Sequence, residues 1–259
     1  MKIKILNKKE NKMSFLLQNS SPAYCNTLRR VMLSEVPTMA IEEVEFRNNS
    51  SALYDEIIAH RLGQLVLTTD LKTYNLKSEC KCKGEGCAKC SAILTLKEKG
   101  PKTVYASDIK SKDPEIKPVY PKTVIVKLNE DQDLEFEATA ILGRGKEHTK
   151  WSPGHIYYKR EPKINIDNRK IKNPEVVKES CPVGVFEVKK DKLKVNKDNL
   201  YKCHVCEACT DVSEGVTLED NDEDYIFYIE SWGQLPPEEI FDKSIDLIKE
   251  KLDEFKDLI

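Results

Sequence analysis

The sequence predicts an α+β fold with a mostly-β middle and a cysteine-rich segment late in the chain. Three observations lead there. Short period-two alternations dominate the middle, punctuated helices stand near both ends, and seven of the nine cysteines fall into two tight clusters. At 259 residues the chain is long enough for roughly one large domain or two to three small ones.

Each element follows in order. Ile3 and Ile5 alternate with Lys2 and Lys4, Asn7–Asn11 supplies a polar turn, and Met13, Phe15 and Leu17 resume the alternation, which reads as a hairpin. A helix follows, with Ser21 as N-cap, Pro22 at its first position and Pro37 forcing a stop. Tyr24, Leu28, Val31, Met32 and Val36 give it an apolar face, and Cys25 reads as a buried structural thiol. From Ile41 to Phe46 the alternation returns. The middle, to about Lys163, reads as short strands, among them Ala92–Leu96, Val124–Leu128 and Leu134–Ala138. Pro236 and Pro237, followed by Glu238 and Glu239, open a last helix. Along it Phe241, Ile245, Ile248, Leu252, Phe255 and Ile259 recur at spacings of 4, 3, 4, 3 and 4. A two-position heptad stripe of this kind suits a partner's helix better than a single-chain core.

Composition narrows the function classes. Charged residues are 33% of the chain but the net charge is only −2, so nucleic acid would have to meet a local patch. There is no N-terminal apolar run of the signal type and no stretch of about 18 apolar residues, so a cytoplasmic protein without a membrane span is expected. In a reducing compartment clustered thiols are metal ligands rather than disulfides.

Cys203, Cys206 and Cys209 have the C-x2-C-x2-C spacing of bacterial ferredoxins, and Cys181-Pro182 supplies the remote Cys-Pro of that pattern. The other ligands of a two-cluster ferredoxin are missing: Ile171, Pro174 and Val177 stand where a first run would have thiols, and Ser213 where the second run would end. One iron–sulfur cluster on Cys181, Cys203, Cys206 and Cys209 is expected, of the four-iron type (4Fe-4S), or three-iron (3Fe-4S) if Cys181 stays uncoordinated. Cys80, Cys82, Cys87 and Cys90 place four thiols within eleven residues, with Gly84 and Gly86 permitting a tight loop. That arrangement suits one structural Zn2+ with no open position, with a second iron–sulfur cluster as the other reading. No phosphate-binding loop, dinucleotide fingerprint, nucleophile elbow or zinc-peptidase motif is found, so no catalytic residue is assigned.

Several stretches taken together resemble a known family. They are Asn26-Thr27-Leu28-Arg29-Arg30 with its continuation to Pro37, His60-Arg61-Leu62-Gly63-Gln64-Leu65, Leu142-Gly143-Arg144-Gly145-Lys146-Glu147-His148 with its continuation to Pro153, and the closing helix. Their order is similar to that of the D-type subunits of archaeal RNA polymerase and their relatives, the bacterial alpha N-terminal domain and the eukaryotic third-largest subunit. The resemblance implies an alpha-subunit-like dimerisation domain from 1–45 and 225–259. It also implies an inserted mostly-β domain from 46–166 and about 214–224, and a ferredoxin-like insertion from 167–213. It implies a scaffold that pairs with the L subunit and, with the N and P subunits, recruits the large catalytic subunits, meeting DNA only through the assembled enzyme. Asn26, Arg29 and Arg30 would face a large subunit, and Phe241, Ile245, Ile248, Leu252 and Phe255 the smaller partner. The competing reading is an iron–sulfur electron-transfer protein.

Overall fold

A computed structural model describes residues 1–219 and 221–259. In chain order the elements are β1 (Lys2–Lys9), β2 (Lys12–Gln18), α1 (Pro22–Ser34), β3 (Pro37–Asn49), α2 (Asp55–Gly63), β4 (Ser91–Lys99), β5 (Lys102–Tyr105), β6 (Lys110–Ser111) and β7 (Val124–Leu128). They continue with β8 (Asp133–Arg144), β9 (Gly154–Arg160), β10 (Lys163–Ile166), α3 (Pro174–Ser180), β11 (Phe186–Lys189), β12 (Lys192–Val195), α4 (Ala208–Asp211), β13 (Val216–Glu219), β14 (Tyr225–Ser231) and α5 (Pro237–Asp257). This is a mixed fold in which strands predominate.

Packing divides the chain into two compact units. One holds Met1–Lys8, Met13–Thr27 and Tyr157–Tyr228; the other holds Lys9–Lys12, Leu28–Ile156 and Ile229–Ile259. The first contains most of a four-stranded sheet ordered β1-β2-β14-β9, in which the rings of Phe15 and Phe227 stack at 5.1 Å. Two antiparallel ribbons, β10 with β13 and β11 with β12, complete it. They enclose a small core of Val177, Val185, Phe186, Leu193, Val216 and Cys209.

The second unit is organised by a long antiparallel ladder, β3 against β8, running from Pro37↔Arg144 to Asn49↔Leu134 with two irregularities. The sheet order is β3-β8-β4-β6, and β5 pairs with β7. Its larger core includes Ile41, Ile58, Leu62, Leu94, Leu96 and Phe136.

Two differences from the sequence reading have plain causes. The hairpin turn is only Glu10 and Asn11, because β1 continues through Lys9; polar residues on an exposed strand look like a turn. Helix α2 falls where only strands were expected. It buries just Ile58 and Leu62, one i,i+4 pair, too short a stripe to reveal its period. Its Asp55 and Glu56 at the first turn and His60 and Arg61 at the last complement the helix dipole.

Candidate metal centres and partner face

Cys80, Cys82, Cys87 and Cys90 lie on the loop leading into β4. Three left-handed residues close together make the loop tight: Lys83 at φ 53°, Gly84 at 88° and Gly86 at 96°. Glycine meets the last two without strain. The four sulfurs all lie within 4.8 Å of one another. Cys80 to Cys87 and Cys82 to Cys90 are 3.6 Å, and Cys87 to Cys90 is 3.8 Å. Zinc–sulfur bonds of about 2.3 Å in a tetrahedron put sulfurs about 3.8 Å apart, so the donor set fits one tetrathiolate ion. The amide of Gly86, then the thiol of Cys80, hydrogen-bond to Cys82 and lower its pKa, while burial raises that of Cys90.

The second cysteine set is spaced differently. Cys181, Cys203, Cys206 and Cys209 line one small apolar pocket, shared with Ile164, Val183, Phe186 and Leu218. Among the described residues no second group of three or more potential ligands gathers within 4.8 Å. Four thiols around an apolar space fit a polynuclear group rather than a single ion. The amides of Val185 and Val205 point at the sulfurs of Cys181 and Cys203, at 3.4 and 3.5 Å. Val205 and Glu207 are held left-handed at φ 55° and 64°, a costly backbone for a β-branched residue and one that gathers at ligand loops. Burial, and then the neighbouring thiols, raise the pKa of Cys209. His204 is exposed at the cavity rim. Lys159, which no sequence pattern marks, reaches this loop from β9: its Nζ donates to the carbonyls of Tyr201 at 2.5 Å and Cys203 at 2.7 Å.

On α5 the buried face is Pro237, Ile240, Ser244 and Leu247. The heptad stripe is a different face. Phe241, Ile245 and Ile248 are half-buried, while Leu252 and Phe255 are 61% and 62% exposed. On α1, Ser21 accepts the Tyr24 amide at 3.3 Å, as an N-cap should. Cys25, Leu28, Val31 and Met32 are buried; Asn26 and Arg29 are half-buried and Arg30 is exposed. Glu35, just past α1, accepts from both Lys146 and Lys251 at 3.2 Å. One carboxylate thus joins the end of α1, the turn after β8 and the distal part of α5. Trp151 packs on the end of β8, where its indole donates to the Ile141 carbonyl at 3.3 Å and its ring leaves no room for a side chain at Gly143.

Comparison with known proteins gives this arrangement a class. Residues 43–157 match the family described as the RNA polymerase Rpb3/RpoA insert domain, so the mostly-β middle is that of an alpha-type polymerase subunit. Full-length relatives refine it. The chain is 38% identical to DNA-directed RNA polymerase subunit Rpo3 of Methanosphaera stadtmanae, over 98% of this chain and 96% of the relative. It is also 38% identical to Rpo3 of Archaeoglobus fulgidus, over 99% and 97%, and of Pyrococcus horikoshii, over 98% and 96%. The chain belongs to the Rpo3 family of archaeal DNA-directed RNA polymerase subunits, the D-type subunits, and the resemblance carried by its motifs holds over its full length. No helix among the described residues is long and apolar enough to cross a membrane.

Proposed function

We propose that this chain is the non-catalytic assembly subunit of a cytoplasmic archaeal RNA polymerase. It pairs with the L subunit, and the pair, with the N and P subunits, recruits the two large catalytic subunits, so that DNA is met only through the assembled enzyme. The observation that carries this reading is the apolar stripe of α5, half-buried at Phe241, Ile245 and Ile248 and exposed at Leu252 and Phe255, beside a separate helix face the chain buries for itself. Phe241, Ile245, Ile248, Leu252 and Phe255 meet the L subunit within a dimerisation domain made of 1–45 and 225–259. Asn26, Arg29 and Arg30 meet a large subunit. The mostly-β domain spans 46–166 and about 214–224. Co-expression with the L subunit and sizing of the complex tests the pairing. Replacing both Arg29 and Arg30 by Ala should leave that pair intact and weaken recruitment of the large subunits; unaltered reconstitution of the enzyme would sink the assignment.

Two metal centres go with this reading. Cys80, Cys82, Cys87 and Cys90 hold one structural Zn2+, and Cys181, Cys203, Cys206 and Cys209 hold one iron–sulfur cluster in a ferredoxin-like insertion, 167–213. The donor sets support the distinction, one with its four sulfurs close-set, the other spread around a small apolar pocket. Bound there, the metals crosslink short segments with little core of their own. Iron, acid-labile sulfide and zinc per chain, measured on anaerobically purified protein, should give four, four and one. Three irons would leave Cys181 free, and zinc without iron would overturn the cluster assignment.

A further inference from the structure

Lys159 lies 42 residues before Tyr201 and 44 before Cys203, yet both carbonyls converge on its Nζ. Its ammonium also stands 5.6 Å from the centre of the Tyr228 ring. The Tyr228 hydroxyl in turn donates to the same Tyr201 carbonyl at 3.1 Å, and Tyr157 stacks on that ring at 4.8 Å. Among the described residues Lys159 has no carboxylate partner. Two carbonyls and an aromatic ring, all neutral, surround its charge, and Lys159 is half-buried. A half-buried cation held without a counter-ion is costly, unless an anion stands close by. Four thiolates around an iron–sulfur core carry net negative charge, and Cys203 is the ligand whose own carbonyl Lys159 holds.

We infer that Lys159 is a positioning residue for the cluster: its fixed charge offsets that of the cluster, and its two hydrogen bonds set the backbone from which Cys203 reaches the metal. This rests on the proposed cluster at Cys181, Cys203, Cys206 and Cys209. A nearby positive charge favours the more negative, reduced form, because cluster potential follows net local charge and solvent exposure. With the Tyr201 and Cys203 carbonyls committed to Nζ, their negative ends are also neutralised beside the ligand loop.

The test is an anaerobic redox titration, monitored by electron paramagnetic resonance, of the full chain co-purified with its small partner subunit. Iron and sulfide are counted first. Lys159→Met keeps the stem and removes the charge; Lys159→Arg keeps the charge. In Lys159→Met the reduced-to-oxidised ratio at the wild-type midpoint should fall about tenfold, a downward shift of about 59 mV for a one-electron couple, while Lys159→Arg stays near wild type. A fully loaded Lys159→Met with the wild-type midpoint overturns the inference and leaves the cluster standing. Should Lys159→Met lose its iron, retention at wild-type potential in Lys159→Arg supports the charge, and loss in both overturns it in favour of shape alone. Wild-type protein without iron and sulfide overturns the cluster reading itself, before any variant is titrated.

Discussion

Glu35 joins three segments through two lysines, and its ionisation should be felt across all of them. Burial works against the charge, but hydrogen bonds from Lys251 and then Lys146 outweigh it and hold the carboxyl below its ordinary value. A depressed carboxylate pKa contributes stability that is complete above the unfolded value, about 4.3, and lost as pH falls through the lower folded value. Glu35→Gln should therefore cost about 1 kcal/mol at neutral pH, the modest figure reflecting lysines that are 46% and 52% exposed. In urea denaturation the gap from wild type should close below about pH 4; a gap unchanged there would remove Glu35 as its source. Gly143 is the other single residue that geometry singles out. A Cβ on it would stand 2.3 Å from two carbons of the Trp151 ring, which is itself only 6% exposed. Gly143→Ala should destabilise by about 1–3 kcal/mol through overpacking, read as a lowered thermal midpoint.

Helix α5 shows how one element can present two distinct apolar faces. Its stripe at 241, 245, 248, 252 and 255 has the regular spacing that a sequence reading detects, while Ile240, Ser244 and Leu247 are the residues this chain buries. Substitutions on the two faces should separate. Leu252→Asp with Phe255→Asp should leave the isolated chain's urea midpoint within error and abolish comigration with the L subunit in sizing. Ile240→Ala, by contrast, empties a fully buried site and should cost about 2–5 kcal/mol. Comigration that survives the double aspartate change would place the partner elsewhere. Strand β1 raises the same point at the other end: Ile3 and Ile5 alternate as a core strand would, yet are 51% and 60% exposed. Alternation reports a two-faced strand, not what covers either face.

At the scale of the whole molecule, the two cysteine sets lie in different compact units, and Cys181, Cys203 and Cys209 belong with the small core of theirs. Their contributions to folding should be separable. If the proposed cluster is bound, removing its iron with a chelator should open the 167–213 segment, where Cys209 is part of the small core and Cys181 and Cys203 pack against it. Hydrogen exchange should then accelerate there while the β3-β8-β4 ladder stays protected. With both proposed centres loaded, Cys87→Ser should release zinc and leave iron content unchanged. Equal deprotection of both regions on iron removal would mean that the units do not fold separately.

What the sequence determined by itself is whatever depends on near neighbours along the chain. The strand periods, the Ser21 cap, the Pro22 start and the Cys80–Cys90 loop are local, because backbone period, capping and a short ligand loop are decided within a few residues. The polymerase family was legible too, since its motifs stand in order along the chain. Helix α2 was not, with only two buried residues to mark it. The tertiary structure alone decided the contacts that cross long stretches of chain. Glu35 meets Lys251, Trp151 fills the space over Gly143, and Lys159 holds the carbonyl of Cys203. Such pairings depend on how sheets and helices close on one another, and a charge or a glycine carries no mark in the sequence of the distant group it will meet.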